Sequence, residues 1–203
     1  MRLVFVHGWG FDASIWNELS ATLSDYAQTR VEFGFLGASP FVPAFKPDDI
    51  LVGHSLGLLW GLSQYDCWQR VIAINSFATF AGEEGGAVAP AALRAMRLSL
   101  ARDPQKTLAN FYRSLGLTEA PQKSDAGRLS QGLSLLETEA IKEPQQQASL
   151  VLACANDRLV PASATDYLVQ RMKAQVGWHE TGGHLLPLRD APWCADRIRA
   201  FLG

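Results

Sequence analysis

Cysteine is scarce in this sequence. Its three residues, Cys67, Cys154 and Cys194, form no C-x-x-C pair and stand at no metal-ligand spacing from a histidine. That excludes a disulfide scaffold and a zinc site built on cysteine, and it predicts reduced packing residues in a cytosolic protein. Charge of one sign is also lacking. Eighteen Lys+Arg against twenty Asp+Glu leave −2, so no general field exists to hold nucleic acid or an anionic membrane, and a charged partner must meet a local patch. Nowhere do eighteen apolar residues run together, and the first apolar stretch stops at His7. Neither a membrane span nor a secretory signal is expected from such runs. Disorder is excluded as well, because 48% of the residues are hydrophobic and only 19% charged. At 203 residues, one core that removes about 70% of the unfolded surface from water is expected, with no room for two.

What is present alternates. Residues 3–6, 49–53, 70–76 and 150–155 are short, nearly continuous apolar runs, as expected of strands buried on both faces of a parallel sheet. Two further strands are expected at 31–36 and 176–180. Between them lie helical patterns: one carrying Ile15, Trp16, Leu19 and Leu23, capped by Asp12 or Ser14, then 56–65, 162–173 and 190–202. The connection GASPFVPAFKP has three prolines and cannot form a regular helix. This order implies an α/β sheet with helices on both faces. Residues 77–147 break the alternation with a Gly-rich stretch and three helical patterns, around 93–100, 104–115 and 126–142, the second opened by Asp103-Pro104. We read a core of 1–76 and 148–203 with a helical lid insertion at 77–147, set over the carboxyl ends of the strands. No internal repeat is visible.

Gly53-His54-Ser55-Leu56-Gly57 is a G-x-S-x-G pattern between a buried strand and an apolar helix. That context identifies a nucleophile elbow, whose tight turn needs small residues and lifts the Ser hydroxyl to a helix N-terminus. A Ser that merely caps the helix is the plainer alternative. A hydroxyl becomes a nucleophile only when a base takes its proton and a carboxylate orients that base. Of four histidines, His184 follows Thr181-Gly182-Gly183 in a loop just past the last strand and is our choice over His7, His54 and His179. Asp157 lies just past the strand ending at Ala155 and completes a Ser, Asp, His order; Asp166 and Glu180 are its competitors. The oxyanion formed on attack needs two backbone donors, expected from Leu56 and from Trp9 in HGWG.

Two other motifs compete for attention. Gly8-Trp9-Gly10-Phe11-Asp12-Ala13 matches G-x-G-x-x-A, with Glu32 where a ribose-binding acid would stand. Bulky Trp9 and Phe11 and an acidic Asp12 oppose a dinucleotide there. HETGGH at 179–184 spaces its histidines five apart across two glycines, which does not align them on a helix face for zinc. The insertion also concentrates charge: Arg94, Arg97, Arg102, Lys106 and Arg113 stand against Asp103 alone, leaving the rest of the chain acidic. A solvated helix face would explain any one pair, but five bases in so short a stretch point to an acidic partner.

In VHGWGFDASIW, GHSLG, INSFATF through LARDPQKTLANFYRSLG, NDRLVP and GGHLLPL, the chain resembles the α/β-hydrolase superfamily. Within it the chain is most similar to the pimeloyl-acyl-carrier-protein methyl ester esterases of biotin synthesis. The resemblance implies an α/β-hydrolase fold shortened at its N-terminus. It implies Ser55 as nucleophile, Asp157 and His184 as its partners, and the Trp9 and Leu56 amides as oxyanion hole. It further implies lid bases that hold an acyl carrier protein, Lys106 among them, and an acyl-lining Phe111, with Trp9 and Phe77 also expected against substrate. Asn110, Leu58 and Cys154 depart from the residues usual in relatives. The expected activity is hydrolysis of a methyl ester by a monomer that needs no cofactor and no metal. A small free ester, thioester or lactone is the alternative substrate, and a catalytically silent binding protein the alternative class.

Overall fold

The computed structural model describes residues 1–66, 68–141 and 146–203. Cys67 and position 142, the end of the third helical pattern in the insertion, lie outside them. Along the chain come β1 (Arg2–Val6), a 3-10 turn (Ala13–Trp16) running into α1 (Asn17–Thr22), β2 (Ala27–Val31), β3 (Asp49–His54), α2 (Leu56–Gln64) and β4 (Arg70–Ile74). The segment that follows holds a two-stranded ribbon of β5 (Thr79–Ala81) and β6 (Gly86–Val88), then α3 (Pro90–Arg102), α4 (Pro104–Ser114) and α5 (Ala126–Thr138). The second half of the core is β7 (Ala148–Cys154), α6 (Ala162–Met172), β8 (Gln175–His179), α7 (Leu186–Arg189) and α8 (Ala191–Leu202).

Six strands form one parallel sheet in the order β2-β1-β3-β4-β7-β8. The interior strands are buried almost throughout. That is why their sequences read as continuous apolar runs rather than alternating ones. The chain leaves β1 outward to β2, then returns to β3 on the opposite side of β1. This reversal opens a crevice above the carboxyl ends of β1 and β3, the place where parallel sheets of this kind take ligands. At the other end of the same pair, the guanidinium of Arg2 donates to both oxygens of wholly buried Asp49, at 2.9 and 2.6 Å. Arg2 and Asp49 are register partners, so this bidentate pair fixes the alignment of β1 with β3.

Two expectations need correcting. The strand placed at 31–36 is instead Ala27–Val31, a partly exposed edge strand with no apolar run to announce it. Phe33 and Phe35 pack their rings against His7 instead, and Glu32 forms only an isolated bridge to Phe41. The Gly-rich stretch after residue 80 supplies β6, which sequence reading treated as irregular. Two ends also fall short of expectation, β4 stopping at Ile74 and α5 at Thr138, whereas both caps hold: Asp12 caps the first helical turn through Ser14 N, and Asp103 caps α4 through Lys106 N. Cys154 and Cys194 are free and buried. Among the described residues no helix is long and apolar enough to cross a membrane.

The insertion packs more lightly than the sheet. Over its 13 residues α3 buries only Leu93 and Leu100, whereas all six residues of β3 are buried. Fewer buried side chains make local opening of α3 cheaper than any opening of the sheet.

Two glycines decide how α2 follows β3. A β-carbon at Gly57 would lie 2.1 Å from the Val6 carbonyl oxygen, and one at Gly53 2.6 Å from the backbone of Leu58. Only hydrogen at both positions lets the helix start this close to the end of β1. Gly57→Ala is therefore expected to destabilise the fold by about 3 kcal/mol, seen as a lower urea midpoint with an unchanged slope.

Candidate active site

Ser55 occupies the turn between β3 and α2 at φ 54° and ψ −123°. A non-glycine residue held at positive φ costs on the order of 1–3 kcal/mol and needs surroundings that enforce it. Here the Ser55 amide donates to the Ile74 carbonyl at 3.1 Å, and the Ser76 hydroxyl donates to the Ser55 carbonyl at 2.8 Å. The Ser55 side chain makes no capping bond to α2, so its hydroxyl is not spent on the helix.

His184 and Asp157 come from the loops after β8 and β7. Asp157 Oδ2 lies 2.9 Å from His184 Nδ1, with both side chains almost wholly buried. Oδ1 of Asp157 accepts the amides of Leu159 and Val160 at 2.8 and 3.0 Å. Burial pushes this carboxyl up, but the charge and hydrogen bond of His184 and the two amides outweigh it and hold it below its ordinary range. The carboxylate therefore accepts from Nδ1–H, which leaves Nε2 as the nitrogen able to serve Ser55. Among the described residues Ser55 and His184 share no hydrogen bond in this arrangement. Nucleophile–base pairs commonly tighten only in the substrate complex.

Asn75, which sequence reading passed over, ties these loops together. It sits one residue past β4 at φ 46°. Its amide donates to Asp157 Oδ2 at 3.1 Å and to the Gly183 carbonyl at 2.9 Å, while its Oδ1 accepts the Leu186 amide at 3.2 Å. Asn75 thus grips the acid and both flanks of His184. Sequence reading places it, with neighbouring Ser76, in the strand expected at 70–76, which ends instead at Ile74; the only signal is a polar pair closing an apolar run.

The other histidines have structural partners. His54 Nε2–H donates to the His184 carbonyl at 2.9 Å, and burial, then the nearness of His184, pushes its pKa down to about 3, so it stays neutral. Its neutral ring holds the His184 loop against the elbow. His7 accepts the Phe33 amide at Nε2, and His179 faces Asp190. HETGGH therefore splits between two unrelated acids. Glu32 accepts the amides of Ala13 and Gly34 at 2.8 and 2.7 Å, an arrangement that spends it on the local backbone rather than on a ribose.

The amides of Leu56, at the start of α2, and of Trp9, in the loop after β1, find no acceptor within the fold among the described residues. Above Ser55 is a cavity of about 380 Å³, lined by Trp9, Phe80, Leu93, Met96, Phe111 and Leu159 among others, with no charged side chain in its wall. Trp9 and Phe111 are thus placed as expected against this space. Phe77 is not: it is wholly buried and packs on Phe80, and Phe80 is the ring that reaches the cavity. In this irregular segment no periodicity could tell the two apart.

The five bases of the insertion divide. Arg97 pairs with Glu137 of α5, and Arg113 donates to Asn110 Oδ1 at 2.8 Å. Arg94, Arg102 and Lys106 are exposed and without a side-chain partner among the described residues. Arg102, Lys106 and exposed Leu98 border a surface hollow that shares Ala95 and Ser99 with the wall of the cavity above Ser55.

Comparison with known proteins agrees with this fold. A family model described as "Alpha/beta hydrolase family" matches residues 3–197. No curated protein matches the sequence. Among solved structures, a hydrolase from Pseudomonas aeruginosa superposes with a TM-score of 0.80 at 15% identity, covering 100% of this chain and 89% of the other. A Bacillus megaterium epoxide hydrolase gives 0.76 at 13% identity, covering 99% and 93%. The esterase RhEst1 from a Rhodococcus species gives 0.72 at 19% identity, covering 100% and 90%. At such identities the likeness speaks for the fold alone.

Removing the Asn75 side chain should let Asp157 and the His184 loop drift. Asn75→Ala is expected to slow labelling of Ser55 by a fluorophosphonate probe by about ten- to a hundredfold in protein that circular dichroism shows to be folded. An unaltered rate would mean that Asp157 alone aims the imidazole.

Proposed function

This chain belongs to the alpha/beta hydrolase family, and from that premise we propose that it is a serine carboxylesterase with Ser55 as nucleophile, His184 as general base and acid, and Asp157 as the orienting carboxylate. The single observation that carries the reading is the buried 2.9 Å Asp157–His184 pair, tied to the elbow through the His54 ring on the His184 carbonyl, together with the strained, uncapped Ser55 turn. Ser55 Oγ attacks the ester carbonyl as His184 Nε2 takes its proton. The oxyanion faces the Trp9 and Leu56 amides, each such donor contributing about 3 kcal/mol in the transition state. The C–O bond breaks, His184 returns the proton to the leaving alcohol, and an acyl group remains on Ser55. Water, deprotonated by the same imidazole, then releases the carboxylic acid.

The uncharged wall of the cavity above Ser55 favours an apolar acyl chain. The finer reading is the methyl ester of a pimeloyl-type chain whose far end is held by an acyl carrier protein. Supporting it are the hollow that adjoins this cavity, bordered by the unpaired bases Arg102 and Lys106, by Asp103 and by apolar Leu98, and the exposed Arg94 elsewhere on α3. Such a rim would steer an acidic helix by charge, an attraction that salt screens. A small free ester would use the same triad without those bases.

Ser55→Ala is expected to lower ester hydrolysis by at least about 10⁴-fold with the fold intact; near-normal turnover would overturn the mechanism. For the carrier, Arg102→Glu with Lys106→Glu should raise KM for a carrier-borne ester about tenfold relative to KM for p-nitrophenyl butanoate. Equal changes for the two substrates would favour the small free ester.

A further inference from the structure

A second cavity, of about 330 Å³, opens on the other side of the catalytic pair. Its wall includes His184 but not Ser55, whereas the apolar cavity includes Ser55 but not His184; Ser114 lines both. The two spaces therefore adjoin at Ser114, one reaching Ser55 and the other His184, and they differ in chemistry. The second is walled by Arg158, Arg189, Asn156, Thr181 and the glycines of the His184 loop, and no carboxylate borders it.

Both guanidiniums are exposed and, among the described residues, neither has a hydrogen-bond or ion-pair partner. Arg2, Arg97, Arg128 and Arg199 hold carboxylates, so these two, like Arg94 and Arg102 on α3, keep their charge for a ligand. Asn156 adds donors. Its Oδ1 accepts the Gly183 amide at 2.7 Å, which leaves both of its N–H groups uncommitted. A concave site with two unpaired guanidiniums, a free amide NH₂ and no acid matches the geometry of a compact oxyanion, to which arginine can donate two parallel bonds.

We propose that this cavity is a binding site for a compact oxyanion, a carboxylate or a phosphate, held by Arg158 and Arg189 beside His184. The proposal rests on the esterase reading for its catalytic meaning. His184 must hand its proton to the leaving oxygen, so the alcohol portion of an ester projects into the His184 side while the acyl chain fills the apolar side. The anion could be borne by the alcohol portion of the substrate or be a free ion in solution. In the first case the site selects esters of hydroxy acids or phosphorylated alcohols. In the second it lets a free anion compete for the leaving-group space.

The test pairs ethyl butanoate with O-butanoyl glycolate, which share an acyl chain and differ by a carboxylate on the alcohol, and adds inorganic phosphate as a free anion. With a substrate-borne anion, kcat/KM should favour the glycolate ester by about tenfold, and Arg158→Gln or Arg189→Gln should bring that ratio close to one. With a free anion the esters should differ little, while phosphate should raise KM for ethyl butanoate competitively. In either case phosphate should raise the Tm of the wild type more than that of the Arg158→Gln, Arg189→Gln double variant. Arg189 is tested separately because Arg158 adjoins Asp157. No ester preference together with equal phosphate effects on the Tm of wild type and double variant would overturn the proposal. If neither ester is hydrolysed yet phosphate still separates the two proteins by Tm, the anion site stands and the esterase reading falls.

Discussion

The carboxyl edge of this sheet depends on how closely α2 can approach the end of β1. Gly57 lies where any side chain would overlap the Val6 carbonyl, so the helix start and the loop after β1 are held almost in contact. That proximity sets the Leu56 and Trp9 amides, just past the ends of neighbouring strands, around one small space. It also forces Ser55 into a backbone conformation it would not choose, with the Ile74 carbonyl and the Ser76 hydroxyl holding it there. The Arg2–Asp49 pair performs the matching task at the far end of the same strands, where a slip of one residue would displace the turn.

Much of this was legible in the sequence, for identifiable reasons. Interior strands of a parallel sheet are apolar on both faces, so β1, β3, β4 and β7 announce themselves as short runs. The Ser55 turn is legible because tight packing demands glycine on both sides, and Asp157 and His184 because each follows a strand end in chain order. β2 was placed too late because an edge strand that is half exposed carries no such run, and Phe33 and Phe35 offered a false one. Asn75 was invisible for another reason. It reads as the polar end of the strand expected at 70–76, and its role depends on groups 82 and 108 residues further along the chain. The partner of Arg97, on α5, is likewise out of reach of any local pattern.

Charge is distributed with the same economy. Carboxylates inside the fold are committed: Asp49 to Arg2, Asp157 to His184 and to backbone amides. The buried histidine that flanks the elbow, His54, is neutral and acts as a donor to the next loop. Uncommitted cations are found instead around two openings, one on the outer face of α3 and α4 and one beside the imidazole. Between them lies an uncharged space with the serine at its floor. Whatever ligand the protein takes therefore meets charge at the margins and hydrocarbon at the centre.

The insertion is bound to the very loop that supplies one of the two orphan amides. Trp9 Nε1 donates to the Leu129 carbonyl of α5 at 2.8 Å, and the Tyr112 hydroxyl of α4 donates to the Gly10 carbonyl at 2.8 Å. Burial pushes the Tyr112 phenol up, so it remains a donor. Swinging α4 and α5 outward would break both ties and drag the Trp9 amide from its place. Roof and floor are thus one mechanical piece, and the protein cannot gape wide while staying ready to react. That leaves α3, which buries only Leu93 and Leu100, as the part of the roof freest to part from the rest.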